Sequence, residues 1–594
     1  MRRSGFVLRG GVAALAGFAL ALGAALVVAA PAHAADFDVY NEEDLADAID
    51  YAVANPTDPV TARIGADFLL DPLTASLPPL TAGALTIDGA GHTISAVSKS
   101  SAGFEVTGDA SLSIDGATFD FYESGPIVSS FGSPADPANS PTVTISAVVA
   151  TAGAFDVAFD IADTAFSMST TTIHDSEVGL AGIFSFGTPT LQNVTVLDSA
   201  DCGIEAFLTD DAMLTADRVT IERAGCQALW INAADTASAT ITNTLLADNE
   251  SGMVLFNQGT GTIDVRDSTV SGSSVAEQLA ILAFTGTVRV TNSTFSGGLD
   301  TTYPTVSAMF EDATVVIEHS TLTGNTVSSA PVLGVSGCGC AGAGSFTLSH
   351  TIVAGNTGTS ALAPDVFFDI DPSLSRAIDW SVIGTVDPAD AATLDAIAAG
   401  DGNLFDATTP IDPDLGALGL NGGTTPNHLP NATSPVINAG DPAIAGAPAT
   451  DQRGSARISG GIIDIGSVEV QFTPSLVLSR TTTAVGDQVT ATGAGFPPDT
   501  VYTIVFNSAP VTLGTATSNA SGSFSFAFAV PASASAEMHT ITAALGAVVL
   551  ASAAIEVTGL PDTGSSDTPA ATVIGALLLL AGAGTIAFSR RRRA

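Results

Sequence analysis

The sequence predicts an all-β chain organised as a parallel β-helix. A short phrase recurs through its middle: GTIDVRDSTVSG (Gly261–Gly272), VRVTNSTFSGG (Val288–Gly298), VVIEHSTLTGN (Val315–Asn325) and FTLSHTIVAGN (Phe346–Asn356). Apolar and polar residues alternate in each copy, which is the strand signal, because side chains of a pleated strand point to opposite faces. The phrase turns at Asn, Asp or His and resumes with Ser or Thr. Aligned on the turn residue, the copies give Asn193, Asp217, Asn243, Asp267, Asn292, His319 and His350, at steps of 24, 26, 24, 25, 27 and 31 residues.

A strand-rich unit of that length cannot close a core alone, so each must bury its apolar face against the next. Helical solenoid repeats run longer, about 33–47 residues. A leucine-rich repeat fits the length, but this phrase uses Val, Ile, Thr and Phe, which suit strands. Weaker echoes, LTIDGAG (Leu85–Gly91), LSIDGAT (Leu112–Thr118) and SMSTTTI (Ser167–Ile173), extend the series upstream. The corner Asn residues read as stacked hydrogen-bonding partners.

In chain order, residues 1–34 have the form of a signal peptide. Arg2, Arg3 and Arg9 precede an apolar run, Val12 to Ala30, and the small-x-small site Ala32-His33-Ala34 follows. Asn41 is placed to cap a helix with Glu42, Glu43 and Asp44 in its first turn, where anions favour the helix dipole. Leu45, Ala48, Ile49 and Ala52 then fall on one face, as a lid over the first coil requires. The β-helix with its cap is expected over 35–378, a loop-rich closing region over 379–472, and a spacer over 473–558.

The chain is acidic, with 60 Asp and Glu against 17 Lys and Arg. Without the two terminal targeting segments it keeps 59 acidic and ten basic residues, and Lys99 is its only lysine. Nucleic acid is excluded as a partner, since its binding rests on neutralising phosphates. Such a surface repels polyuronates as well, unless calcium bridges the two; no cofactor is expected, with calcium alone left open. Cys202 and Cys226 lie nine positions after Asn193 and Asp217, hence at equivalent sites on neighbouring coils. Strand spacing of about 4.8 Å falls inside the Cα range of a disulfide, and an inter-coil staple is expected. Cys338 and Cys340 stand in a Gly-rich insertion, either as a small ring or as two thiols. No second Cys or His pair stands at zinc spacing, so no metal site is expected.

Three resemblances refine this plan. LGLNGG, SPVINAGD, TDQRG and the closing DIGSVE, within about Ile352–Val470, resemble the choice-of-anchor Q domain, which closes right-handed parallel β-helices of bacterial surface proteins. That implies a right-handed rod; Asp451 and Arg453 are read as structural, forming either an ion pair or hydrogen bonds to the wrapping loops. Short alternating runs between Pro474 and Val557 read as a small β-sandwich. They resemble immunoglobulin-like spacers, although the Cys-Trp-Cys hallmark is missing. Finally, Leu560-Pro561-Asp562-Thr563-Gly564 precedes an apolar run (about 571–588) and Arg590–Arg593, which resembles the LPXTG sorting signal of Gram-positive bacteria. The run just spans a bilayer and the arginines stop transfer. The resemblance implies a sortase as partner, cleavage between Thr563 and Gly564, and covalent attachment of Thr563 to peptidoglycan.

Parallel β-helices also host polysaccharide lyases and glycoside hydrolases, but fold alone does not assign chemistry. The acidic candidates are Asp198, Asp201, Asp210, Asp211, Asp217 and Asp235, with Arg218 and Arg223 beside them. Hydrolysis needs two carboxylates facing one sugar, and elimination needs a base beside a held uronate. Motifs of the pectate-lyase and polygalacturonase kinds are missing. His174, His319 and His350 fall at or near corners, and Trp230 is placed as a groove filler or a sugar platform. The reading favoured is a wall-anchored surface protein with a display, adhesion or glycan-contact role. A carbohydrate-active enzyme is the alternative, marked by carboxylates of neighbouring coils converging with an Arg or Trp.

Overall fold

A computed structural model describes residues 34–70, 76–97, 103–122, 125–152, 157–299, 303–337, 342–358, 365–368 and 375–559. The chain forms two compact units, with the boundary between Gln471 and Phe472. The first is the parallel β-helix that the repeat predicts. Its strands form a 25-stranded and an eleven-stranded sheet, and between coils the pairing is parallel throughout. Because a parallel strand can accept a neighbour on each side, every coil completes the backbone hydrogen bonding of the one before it.

One coil shows the plan. The strand Met213–Asp217 ends at Arg218, a left-handed residue (φ 54°). The strand Thr220–Glu222 follows and ends at a second left-handed residue, Arg223 (φ 61°). The chain then enters Gln227–Ala233 in the eleven-stranded sheet. The next coil repeats this in register: Met213 faces Ser238, Thr220 faces Leu245 and Leu229 faces Met253. A single left-handed residue reverses the local twist and bends the strand sharply. This is why the repeat places Asn and Asp there, which tolerate that conformation better than other L-residues.

Asn193, Asn243, Asp267, Asn292, His319 and His350 occupy the first corner, as expected, and all are left-handed. Asp217 does not. Its register partner is Thr242, and Arg218 takes the corner between Asn193 and Asn243. The steps there are therefore both 25 residues. Two bonds offset the strain of a left-handed Arg: its Nε donates to Asn193 Oδ1 of the coil before (2.6 Å), and its guanidinium pairs with Asp217 (2.8 Å). The ladder runs on past His350 to Trp380 (φ 48°), with His319 and His350 rings 4.9 Å apart and His350 stacked on Trp380.

From Asn243 onward the Ser or Thr after each corner residue is buried and forms a polar ladder. The Ser268 N–H donates to Ser293 Oγ (3.3 Å), Ser293 N–H to Ser320 Oγ (3.2 Å), Ser320 N–H to Thr351 Oγ1 (3.2 Å), and Thr351 N–H to Ser381 Oγ (3.2 Å). Each of these hydroxyls donates in turn to the carbonyl two residues before it. The corner residue's own N–H still reaches a carbonyl of the next coil, as Asn292 N–H does with Glu318. The N–H after it goes to a hydroxyl, which satisfies a group that would otherwise be buried without a partner. Alternating Val, Ile, Leu and Phe fill the remaining interior as one continuous core.

Both ends of the β-helix are covered. At the start, helix α1 (Glu42–Ala54) has Asn41 as its N-cap, whose side chain accepts from Asp44 N–H (3.1 Å). It buries Leu45, Ala48, Ile49 and Ala52, and the strand Ala35–Val39 before it adds one further rung. At the other end helix α2 (Ala391–Ala399), capped by Asp390, packs on the last coil. The chain then doubles back: residues 411–470 run as a strap along the outside of the short strands Thr269–Ser271, Thr294–Ser296, Thr321–Thr323 and Ile352–Val353.

The second unit is a small β-sandwich. Three antiparallel strands (Ser475–Leu478, Gln488–Ala494, Phe524–Ala529) oppose a five-stranded sheet. Phe496, Tyr502 and Phe524 cluster between the sheets, and the Tyr502 hydroxyl donates to the Pro497 carbonyl (3.0 Å).

Candidate functional site

The residues that sequence marks as chemical fall at separate places on the rod. Asp198 lies at the second corner, where Arg223 of the next coil grips it through Nε (2.6 Å) and a second guanidinium nitrogen (3.1 Å). Those bonds hold its carboxyl below the ordinary range. Asp217 lies beside the first corner, accepting from Thr242 Oγ1 (3.0 Å) and Asn243 Nδ2 (2.8 Å) while paired with Arg218. Asp210 and Asp235 are left-handed turn residues beyond the eleven-stranded sheet, and Asp211 is exposed next to them. Asp201 stands with the cysteines. The six carboxylates are thus spread over three corners. The two beside arginines are engaged by them, not aimed at a shared space. His92, in the first coils, pairs with Asp67 (3.2 Å).

The cysteines are close, though not level. Cys202 faces Gln227 in the sheet register and Cys226 falls one residue short of it, because the corner ladder passes through Arg218 and not Asp217. Both are free thiols directed at Gln227 Oε1, at 3.4 Å from Cys202 and 2.6 Å from Cys226. Burial raises both thiol pKa values. Asp201 joins them: its carboxylate and the two Sγ atoms lie within 4.8 Å of one another. Cys338 and Cys340 lie outside the described residues.

Beneath the strap is a second concentration of titratable groups. Asp451 pairs with Arg453 through its carboxylate (2.7 and 3.0 Å) and also accepts the Glu469 N–H (3.0 Å). Arg457 is fully buried. One guanidinium nitrogen reaches His319 Nδ1 of the corner ladder (3.1 Å) and the carbonyls of Asp464 and Gly466. Asp464 accepts from the N–H groups of Asn438 and Val470, and Glu469 from those of Ser459 and Asp464. Burial raises the pKa of both acids and also pushes Asp267 up to about 6. It depresses His319, and it lowers His350 to about 4. Gln452 ties the strap to two coils, donating to Thr269 Oγ1 (2.8 Å) and accepting from Thr294 Oγ1 (2.6 Å). These bonds clamp loops onto coils, and none of the groups faces open solvent in a cleft.

The sorting pentapeptide Leu560-Pro561-Asp562-Thr563-Gly564 and the apolar run after it lie outside the described residues, as do residues 1–33 of the signal segment. Among the described residues no helix is long and apolar enough to cross a membrane. The family described as the LPXTG cell wall anchor motif matches residues 557–594. The chain is a secreted protein anchored to the cell wall. Sortase processing and covalent attachment to peptidoglycan follow from that motif. Comparison with curated proteins finds no match.

Two features escape a reading of the sequence. Arg457 stands in a Gly- and Ser-rich loop with no pattern around it. The outer face of the eleven-stranded sheet carries Phe207, Trp230, Phe256 and Met309. Its only trace in the sequence is that IEAFL, ALWIN, MVLFN and LAILA carry apolar residues at outward as well as inward positions, with Glu205 and Asn232 as exceptions.

Proposed function

We propose that this wall-anchored protein is a non-enzymatic display and adhesion device whose β-helix presents a contact surface beyond the cell wall. In this reading residues 1–34 direct export. The closing region 379–472 acts as a choice-of-anchor Q domain, and the immunoglobulin-like unit (473–558) is a stalk. A sortase cleaves between Thr563 and Gly564 and joins Thr563 to peptidoglycan.

The observation that carries the non-enzymatic part is the placement of the carboxylates. General acid–base work on a glycan needs two groups of different protonation state aimed at one space. Asp198 and Asp217 are held by arginines at different corners. Of the acids with raised pKa values, Asp267, Asp464 and Glu469 are sealed under the strap and Asp365 is buried. Asp160, on the outer face of the eleven-stranded sheet, stands two strand spacings, about 10 Å, from Glu205, the next carboxylate in its column. The test is product analysis. Chain released from the wall is incubated with plant, microbial and host polysaccharides, with and without calcium. No soluble sugar beyond the boiled control is expected, and release of unsaturated or reducing oligosaccharides contradicts the proposal.

A further inference from the structure

The inner face of the eleven-stranded sheet belongs to the core, but its outer face is also largely apolar. One outward column runs, coil by coil, through Ile183, Phe207, Asn232, Phe256, Leu282 and Met309. At one strand spacing per step, about 4.8 Å, that column is about 24 Å long. The neighbouring column sets Glu205 and Trp230 side by side, with Asp160 two coils before Glu205. Rings from the two columns meet, Phe207 with Trp230 at 5.5 Å, and Phe256 meets Phe284 at 5.6 Å. Ile183 and Met309 are 49% and 46% exposed, at opposite ends of the stripe. An apolar stripe of this extent, interrupted only at Asn232, on a secreted protein marks an interaction surface.

Charge on this face is one-sided. The strands of the eleven-stranded sheet contain no Lys or Arg, whereas Arg63, Arg266, Arg289 and Arg376 all stand in strands of the other sheet. The only charged side chains in the outward columns are acids (Glu105, Asp160 and Glu205), and burial among their neighbours raises the pKa of Asp160. At the rim, Arg223 is already taken up by Asp198 and Glu222. A partner that covers this stripe therefore meets negative potential with no local counter-charge.

We propose that this face is the docking surface for a basic protein whose contact segment interleaves apolar side chains with Lys or Arg. The apolar groups would cover the Phe207–Phe256 column. The cations would meet Glu205 and Asp160, and one would sit over the Trp230 ring, the best aromatic acceptor of a cation. Phe, Ile, Leu and Met offer sugar hydroxyls nothing to bond with, and Asn232, the one polar residue of the column, already accepts from Gln258 Nε2 (2.9 Å), so this composition is nearer to a protein interface core than to a glycan platform. A second copy is disfavoured, because a chain of net charge −43 would oppose its own acidic face. The inference rests on the display reading only for access; docking itself is measured on purified chain, so failure of either leaves the other standing.

The full chain is titrated with peptides of alternating Lys and Leu, alternating Lys and Ser, and alternating Glu and Leu. The Lys/Leu peptide is expected to bind at least about tenfold more tightly than either control, and to weaken with salt. Phe207→Ser with Phe256→Ser should weaken it about tenfold or more. Met309→Ser and Glu205→Gln, at exposed and half-exposed positions, serve as second variants should the double substitution unfold the coils. Equal binding of all three peptides, or unchanged binding by every folded variant, overturns the proposal. So does tighter binding of cello- or chito-oligosaccharides at the same residues, or a concentration-dependent dimer that Phe207→Ser abolishes.

Discussion

Replacing Arg457 with Met tests how the strap is held. The substitution keeps most of the apolar stem and removes the buried cation that lies near Asp464, Glu469, Asp451 and Asp267. Breaking a buried ionic arrangement by removing one partner costs about 3–5 kcal/mol. Part of that is offset, because Arg457 Nε and one terminal nitrogen have no hydrogen-bond partner, and each such buried donor already costs about 1 kcal/mol or so. The net expectation is about 1–3 kcal/mol, or roughly a 5- to 150-fold larger opening equilibrium for the strap. Because a solenoid opens locally, the effect belongs in amide exchange more than in a global melt. Exchange at Gly440, which bonds to Ile463, and at Gly466, which bonds to His350, should accelerate by that factor. The coil amides of Ser293 and Thr321 should keep their protection. The sign with pH follows from the acids. Without the cation their folded-state pKa values rise further, so the penalty is full above those values. It fades on acidification and is gone once the pH falls below the raised values these acids already hold with Arg457 in place. The unfolded-state pKa is common to both chains and cancels. Unchanged exchange at Gly440 and Gly466, or an equal loss at pH 7 and pH 4.5, would refute the reasoning.

Other predictions concern the coils and the cysteines. Ser293→Ala removes the acceptor of the Ser268 N–H and should cost about 1–3 kcal/mol in chemical denaturation, whereas Ser293→Thr, which keeps the hydroxyl, should cost less. At the corner, Asn243→Gly keeps the left-handed backbone and loses only the side-chain bonds to Asp217 and Thr424, for about 1 kcal/mol. Asn243→Val should cost about 1–2 kcal/mol more, since it also forces a β-branched residue into the left-handed region. His350 is lowered to about 4, so its unfolded form takes up a proton first. Its contribution to stability is full above pH 6.5 and is lost between 6.5 and about 4, and a His350→Asn chain should show a flatter stability–pH curve in that window. Cys202 and Cys226 are proposed to form a disulfide when an exported thiol oxidase withdraws their two hydrogens. Non-reducing peptide mapping of the secreted chain should then find the two cysteines linked, and two alkylatable thiols would refute the staple.

How far the sequence could be read depends on the range of the interaction. Alternation and a 25-residue step are local signals, and they locate the strands, the core columns and the Asn41-capped helix. The Asp217–Arg218 corner was misplaced because intrinsic preference favours Asp in a left-handed position. Arg218 is held there by a bond to Asn193, 25 residues away. That one-residue shift also moved Cys226 out of level with Cys202. The strap was legible only as loop-rich sequence. Its bonds, such as Gln452 to Thr269 and Arg457 to His319, cross more than a hundred residues and leave no periodic trace. The outward stripe leaves a trace only as strands apolar on both faces, whereas alternation marks a single buried face.

The central claim is a rod of stacked coils fixed covalently outside the cell, and fractionation of intact cells tests it most directly. Boiling detergent should release none of the polypeptide, while a muramidase should release it with Thr563 as its last residue, bearing a peptidoglycan fragment. Full recovery in detergent alone, with residues beyond Thr563 still attached, would contradict the account.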